Sequence, residues 1–155
     1  MRTTILVTLP LALLLVACAD EQPPVQEAPP YQIVTDIRQT MEWILDPAVD
    51  VIWDSAGTII SAEGRTELTP TTDDGWNRVI FAAATLAEAG NLLMLPGRSM
   101  GDDWQEYAAG LTEASKLALA AAQARDADAL FDAGGRIYQV CRACHNQYWA
   151  DARDD

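Results

Sequence analysis

An all-α fold is what the sequence predicts: four helices running up, down, up and down as an antiparallel bundle. Three observations carry that prediction. Alanine is abundant and alternating β-branched pattern scarce, a composition that suits closely packed helices better than strands. Apolar residues recur at spacings of three and four through four separate segments. Short connections, one at 95–102 and one near residue 125, make consecutive helices antiparallel neighbours. The 155 residues, half of them apolar, are enough for one domain with a real core once the termini are set aside.

The N-terminus reads as an export signal. Arg2 supplies a short positive region, and Ile5–Val16 is apolar apart from Thr8 and Pro10, too short to span a bilayer comfortably. It ends at Leu15-Val16-Ala17-Cys18, which resembles the bacterial lipobox, whose cysteine becomes the lipid-modified first residue after cleavage. An ordinary secretory signal with a coincidental cysteine is the alternative. On the lipobox reading, residues 1–17 are the signal peptide, 18–30 are the lipidated Cys18 and its tether, and 31–155 are the bundle. The domain is then expected in the periplasm, held to a membrane through acyl chains that together anchor it stably. Ala19 stands where an aspartate would, by analogy with lipoproteins, retain the protein at the inner membrane, so the outer membrane is favoured. Residues 19–30 are acidic and proline-rich, cannot form a helix, and read as an extended tether.

The first helix is expected to begin near Tyr31, with Ile33, Ile37, Met41, Ile44, Leu45, Ala48 and Ile52 on one face. That spacing persists across Pro47, so the helix is either kinked there or restarted, with Asp46 capping and Pro47 in the first turn. Residues 57–71 hold two glycines and a proline and read as a connecting loop. The second helix opens at Thr72-Asp73-Asp74, where short polar and acidic side chains suit an N-terminus. It carries a stripe from Trp76 through Val79/Ile80, Ala83, Leu86/Ala87 and Gly90 to Leu93/Met94, and Pro96-Gly97 ends it. The third opens near Asp102-Asp103 and runs through Trp104, Ala108, Leu111, Ala118 and Ala121 to about Arg125. The fourth, capped by Asp126, continues through Leu130, Gly134, Ile137, Cys141 and Cys144/His145 to Tyr148. Gly134-Gly135 inside it costs about 1 kcal/mol per glycine relative to alanine. Close approach of a neighbour, or a local break in the helix, would account for the pair.

Charge narrows the partners. Ten basic residues stand against 23 acidic ones, a formal charge of −13 that becomes −14 once Arg2 leaves with residues 1–17. Such a surface repels phosphate backbones and anionic lipid, so nucleic acid is not expected as a partner. A basic partner fits the charge, and so does the simpler reading that acidity keeps an exported protein soluble.

The chemistry sits in Val140-Cys141-Arg142-Ala143-Cys144-His145, which contains Cys-x-x-Cys-His. On a helix, positions i, i+3 and i+4 share a face. Two thiols there can add to the vinyl groups of a haem while the adjacent imidazole meets the iron, and this spacing is the attachment signature of c-type haem. A disulfide would leave the adjacent histidine, the only one in the chain, unexplained. Zinc would need a fourth ligand. A thioredoxin-like pair would open a helix after a strand, whereas this pair lies deep in a final helix.

The position of the motif near the C-terminus, on the last helix of a bundle, resembles the class II c-type cytochromes, the cytochrome c′ family. The likeness spans about residues 31–150. It rests on Ile37-Arg38-Gln39 and on Cys141-Arg142-Ala143-Cys144-His145 followed by Tyr148. Trp149 stands where relatives often carry an arginine, so no role for that basic group is carried over. The resemblance implies a four-helix bundle with one haem c bound covalently near one end and His145 as proximal ligand of the iron. It also implies a choice at the sixth coordination position. Some members leave it empty behind an apolar residue and bind nitric oxide or carbon monoxide; others fill it with a methionine from the first helix and transfer electrons. By its match to the family's arginine, Arg38 would neutralise a haem propionate; a solvated surface arginine is the alternative.

Helix geometry selects the methionine. Met41 lies about 15 Å into the first helix, and His145 roughly 11 Å from the same end of the antiparallel fourth. Met94 lies near the bundle's end and Met100 in a loop, so Met41 is the distal candidate. The alternative is that Met41 only packs in the core. Trp43, Trp53, Trp76 and Trp104 could wall the haem pocket, but they are read as core and carry no site role. With its one histidine committed to iron and no glycine-rich phosphate loop, the chain is not expected to be an enzyme. The first expectation is a periplasm-facing, lipid-anchored mono-haem electron carrier. A five-coordinate gas-binding scavenger or sensor is the alternative, and a structural lipoprotein with a Cys141–Cys144 disulfide a third reading. The sequence names no redox partner protein and leaves the pairing of two bundles as a homodimer open.

Overall fold

A computed structural model describes residues 30–149. The expected signal peptide, Cys18 and nearly all of the tether lie outside the described residues. The fold is mostly helical, with one small antiparallel strand pair. In chain order it comprises α1 (Ile37–Thr40), a π-helical turn (Met41–Leu45), α2 (Asp46–Trp53), β1 (Thr58–Ser61), β2 (Gly64–Glu67), α3 (Asp73–Leu93), α4 (Trp104–Ala124) and α5 (Ala127–Tyr148).

The first helical segment departs from expectation at its start and in part at Pro47. It starts at Ile37 rather than near Tyr31, because Asp36 and Gln39 form a capping box. The Asp36 carboxylate accepts from the Gln39 N–H at 2.7 Å, and the Gln39 side chain accepts from the Asp36 N–H at 3.2 Å. Ile33 and Val34 therefore precede the helix and are exposed. Around Pro47 the helix is restarted as expected, with Pro47 in the first turn of α2, but through a π turn and without an Asp46 side-chain cap. The Asp46 N–H reaches back five residues to the Met41 carbonyl, closing a π turn before α2 begins with Pro47 in its first turn. Proline offers no N–H and its ring crowds the carbonyl four residues earlier, so a wider turn just ahead of it relieves the ladder.

Residues 57–71 are not a plain loop. Thr58–Ser61 and Gly64–Glu67 pair from Thr58↔Glu67 to Ser61↔Gly64, leaving Ala62 and Glu63 as the turn. Gly64 takes φ +135°, open to glycine at little cost.

The last three helices begin where short polar residues place them. Thr72 accepts from the Gly75 N–H at 3.1 Å and Asp126 from the Ala129 N–H at 3.0 Å; Asp103 precedes α4 without a side-chain cap. Neighbours run antiparallel. Trp104 Nε1 donates to the Leu93 carbonyl at 2.7 Å while Thr112 Oγ1 donates to that of Ala87 at 3.1 Å. Tyr107 donates to Gln147 at 2.9 Å while Gly110 faces Val140, and Trp53 Nε1 donates to the Gly134 carbonyl at 3.1 Å. Gly90 is required for the α3–α4 approach: a Cβ there would run into the Thr112 side chain and lie 2.8 Å from the Ala108 carbonyl.

The core joins Ile52, Val79, Leu86, Leu130 and Ile137, each fully buried. Each such side chain contributes about 1.5–3 kcal/mol by leaving water. Trp76 and Trp104 are core as expected, but Trp43 is 61% and Trp53 36% exposed. α5 runs unbroken through Gly134-Gly135. Gly134 lies against Trp53, where a Cβ would sit 3.3 Å from the indole, whereas Gly135 has nothing within 4 Å. Among the described residues no helix is long and apolar enough to cross a membrane.

Candidate functional site

α5 sets the first wall of the site. Its regular geometry puts Cys141, Cys144 and His145 on one face, one turn beyond buried Ile137. Opposite stand the π turn and α2, which contribute Met41, Leu45, Asp46, Val49, Asp50 and Trp53. Leu86 and Leu93 of α3 and Trp104 and Leu111 of α4 close the space between them. The result is one cavity of about 330 Å³, lined mainly by apolar groups and within the usual range of small-molecule and cofactor sites.

Four of the residues singled out in the sequence thus meet. Met41, Cys141, Cys144 and His145 all line this cavity. Arg38 does not. Its side chain is 84% exposed, and its Nε donates to Glu42 at 2.7 Å, one turn along the same helix. The hydrogen bond and charge of Glu42 hold the Arg38 guanidinium's pKa above its ordinary value.

Burial governs the thiols. Cys141 is pushed up to about 11 by burial first and then by the neighbouring Cys144 and Asp46; burial also raises Cys144. Both stand as free, protonated thiols at neutral pH. That is the opposite of a reactive redox pair, whose attacking thiol has a depressed pKa. Asp46 is likewise raised by burial and by Asp50, partly offset by His145. The imidazole of His145 meets the indole of Trp149 edge-on, with ring centroids 4.9 Å apart. Among the described residues no group of three or more His, Cys, Asp or Glu side chains is gathered closely enough to hold a bare metal ion. The arrangement instead presents two sulfurs and an imidazole on one wall and a thioether on the other, around a largely apolar space.

Of the aromatic frame, only Trp53 and Trp104 are raised by the sequence as pocket walls, and neither receives a site role there. Trp53, Trp104, Tyr107, Tyr138 and Trp149 all line the cavity. Trp53 packs edge-on against Tyr138 at 6.3 Å, and Trp104 against Tyr148 at 5.2 Å. Helical periodicity marks Trp104 as inward-facing but does not distinguish a core position from a cavity wall. The one available signal for Trp53 is the Gly134 it covers. No family model, curated protein or solved structure matches the chain.

Proposed function

We propose that this chain is a c-type cytochrome that carries electrons, a four-helix bundle holding one haem near one end. The observation that carries the reading is the convergence of Cys141, Cys144, His145 and Met41 on one largely apolar cavity. The donor set fits the group. Cys141 and Cys144 would hold the porphyrin as thioethers, each S–H adding across one vinyl double bond with sulfur to one carbon and hydrogen to the other, so no oxidant is consumed. Burial, which raises both thiols above their ordinary range, keeps them as neutral S–H in an apolar site. His145 would be the proximal ligand and Met41 the distal one. When bound, the haem iron supplies a one-electron ferric–ferrous couple, and a thioether ligand raises its potential by favouring the ferrous state. Leu45, Val49, Leu93 and Leu111 exclude water from that space, and the aromatic rings frame it.

The cellular part of the reading rests on residues 1–30. Cys18 would carry the lipid, and the tether would hold the bundle on the periplasmic side of a membrane, the outer one by the Ala19 signal. A redox protein would be the partner, and no enzyme activity is assigned. Arg38 retains its proposed role toward a propionate only if it exchanges Glu42 for that group.

A five-coordinate, gas-binding site is the second reading, favoured by Leu45 and Val49, buried apolar side chains on the same wall as Met41. Absorption and electron paramagnetic resonance spectra of the purified chain, with and without nitric oxide, separate the two. Low-spin iron that ignores the gas is the expected result. High-spin iron that binds it would transfer the assignment to the second reading, and a chain without visible haem absorption would refute both.

A further inference from the structure

We infer that Arg98 is a positioning residue for Met41: its buried guanidinium, acting through Thr35 and Thr40, ties the turn that carries Met41 to the C-terminal end of α3. The inference deepens the proposed function and rests on the reading of Met41 as distal ligand. Arg98 lies in the connection between α3 and α4, is 6% exposed, and among the described residues forms no ion pair. A buried cation without an anion is unfavourable, and an apolar side chain would fill the same space more stably. What the guanidinium supplies instead is a planar fork of donors that can hold two elements at once. Nη1 donates to the Leu92 carbonyl at 3.0 Å, while Nη2 donates to the Thr35 carbonyl at 3.0 Å and to Thr35 Oγ1 at 3.2 Å. Nε, also buried, has no acceptor, so all of the bonding goes to these two segments. Leu92 stands at the negative end of the α3 dipole, where a cation is favoured. Its neighbour Leu93 lines the cavity, and Trp104 Nε1 holds the Leu93 carbonyl at 2.7 Å. One arm of Arg98 therefore grips a fixed part of the cavity wall.

The other arm reaches Met41 through hydroxyls. Thr40 Oγ1 donates its one hydrogen to the Asp36 carbonyl at 2.7 Å, so Thr35 Oγ1 is the donor in its 2.8 Å contact with Thr40 Oγ1. The bonds thus run in one direction, from Arg98 through Thr35 and Thr40 to Asp36, an order in which each bond polarises the next. Thr40 is fully buried and directly precedes Met41. Local structure does not place Met41 unaided. α1 is a single turn of four residues, too short to be stable alone, and its capping box is exposed to water. The π turn ties Met41 to α2 on its C-terminal side. The buried relay holds it from the N-terminal side, against α3.

The test uses the full chain expressed alongside haem-attachment machinery, with imidazole titrated as a competitor for the sixth coordination position and followed by absorption. Imidazole must displace Met41, so weaker Met41 ligation reads as tighter imidazole binding. Arg98→Ala should lower the imidazole Kd at least about tenfold, as loss of buried, charge-assisted bonds implies. Thr40→Val keeps the shape of the side chain, removes its hydroxyl, and should lower the Kd at least about fivefold. Thr40→Ser, which keeps the hydroxyl, should stay within about twofold of the native chain. Leu130→Ala controls for general destabilisation: fully buried but outside the cavity lining, it should bind imidazole as the native chain does. Should Arg98→Ala fail to fold, Thr40→Val carries the test by itself. Native affinity in Thr40→Val overturns the positioning role and leaves Met41 as ligand. A Leu130→Ala shift as large as that of Thr40→Val does the same, as does a Thr40→Ser chain that tracks Thr40→Val. A native chain that binds imidazole as tightly as Met41→Ala does removes Met41 as ligand, and the positioning role falls with it.

Discussion

One wall of the cavity is a single regular helix, while the other is a helical stretch interrupted by a π turn. α5 runs from Ala127 to Tyr148 without a break, and its chemistry-bearing face follows from helical period alone. The facing wall changes from α1 to a π turn to α2 within 17 residues of Ile37–Trp53. The regular wall fixes the spacing of two thiols and an imidazole, which tolerates no slip. The irregular wall brings covering groups, Met41, Leu45 and Val49, to the same space, and a local widening of the helix sets where Met41 lies. π turns of this kind recur where a helix carries function.

The comparison can be broken first on the regular wall. Replacing both Cys141 and Cys144 with alanine should leave less than about a tenth of the haem attached after denaturation, read as Soret absorbance of the unfolded chain, because no covalent bond then survives. Next in size is a core anchor of the same helix. Leu130→Ala, at a fully buried position, should lower unfolding free energy by about 2–5 kcal/mol in a urea titration. On the irregular wall the half-buried Met41 should matter less for folding. Met41→Ala should cost about 1–2 kcal/mol while converting low-spin iron to high-spin in the paramagnetic resonance spectrum. Pro47→Ala should change stability by less than about 1 kcal/mol, read from a thermal melt. Smallest is Arg38→Ala. Its i,i+4 pair with Glu42 is solvent-exposed, so the variant should melt together with the native chain.

The same contrast explains what the sequence made legible. α3 and α5 open at Thr72 and Asp126, whose side chains cap the helices they precede, and the apolar stripe of α3 is the buried one. The three α5 site residues follow from i, i+3, i+4 spacing; Met41 lines the same cavity, although the count that selects it runs from near Tyr31 and the helix starts at Ile37. Apolar spacing alone puts the first helix start too early, although Asp36 and Gln39 already spell a capping box. The π turn leaves no mark in periodicity, since it adds one residue to one turn. The hairpin escapes because its four-residue strands are almost wholly exposed and show no alternation; Thr58-Ile59-Ile60 and Glu63-Gly64 are its only traces. The aromatic frame depends on which helices meet, and no local signal encodes that.

The central claim is covalent attachment of one haem through Cys141 and Cys144. Intact-protein mass spectrometry tests it most directly, on the full chain expressed alongside haem-attachment machinery. A mature species heavier by one haem than the processed polypeptide with its lipid is expected, with loss of that increment in the Cys141→Ala, Cys144→Ala double variant. A native species at the mass of the lipidated polypeptide alone would contradict it.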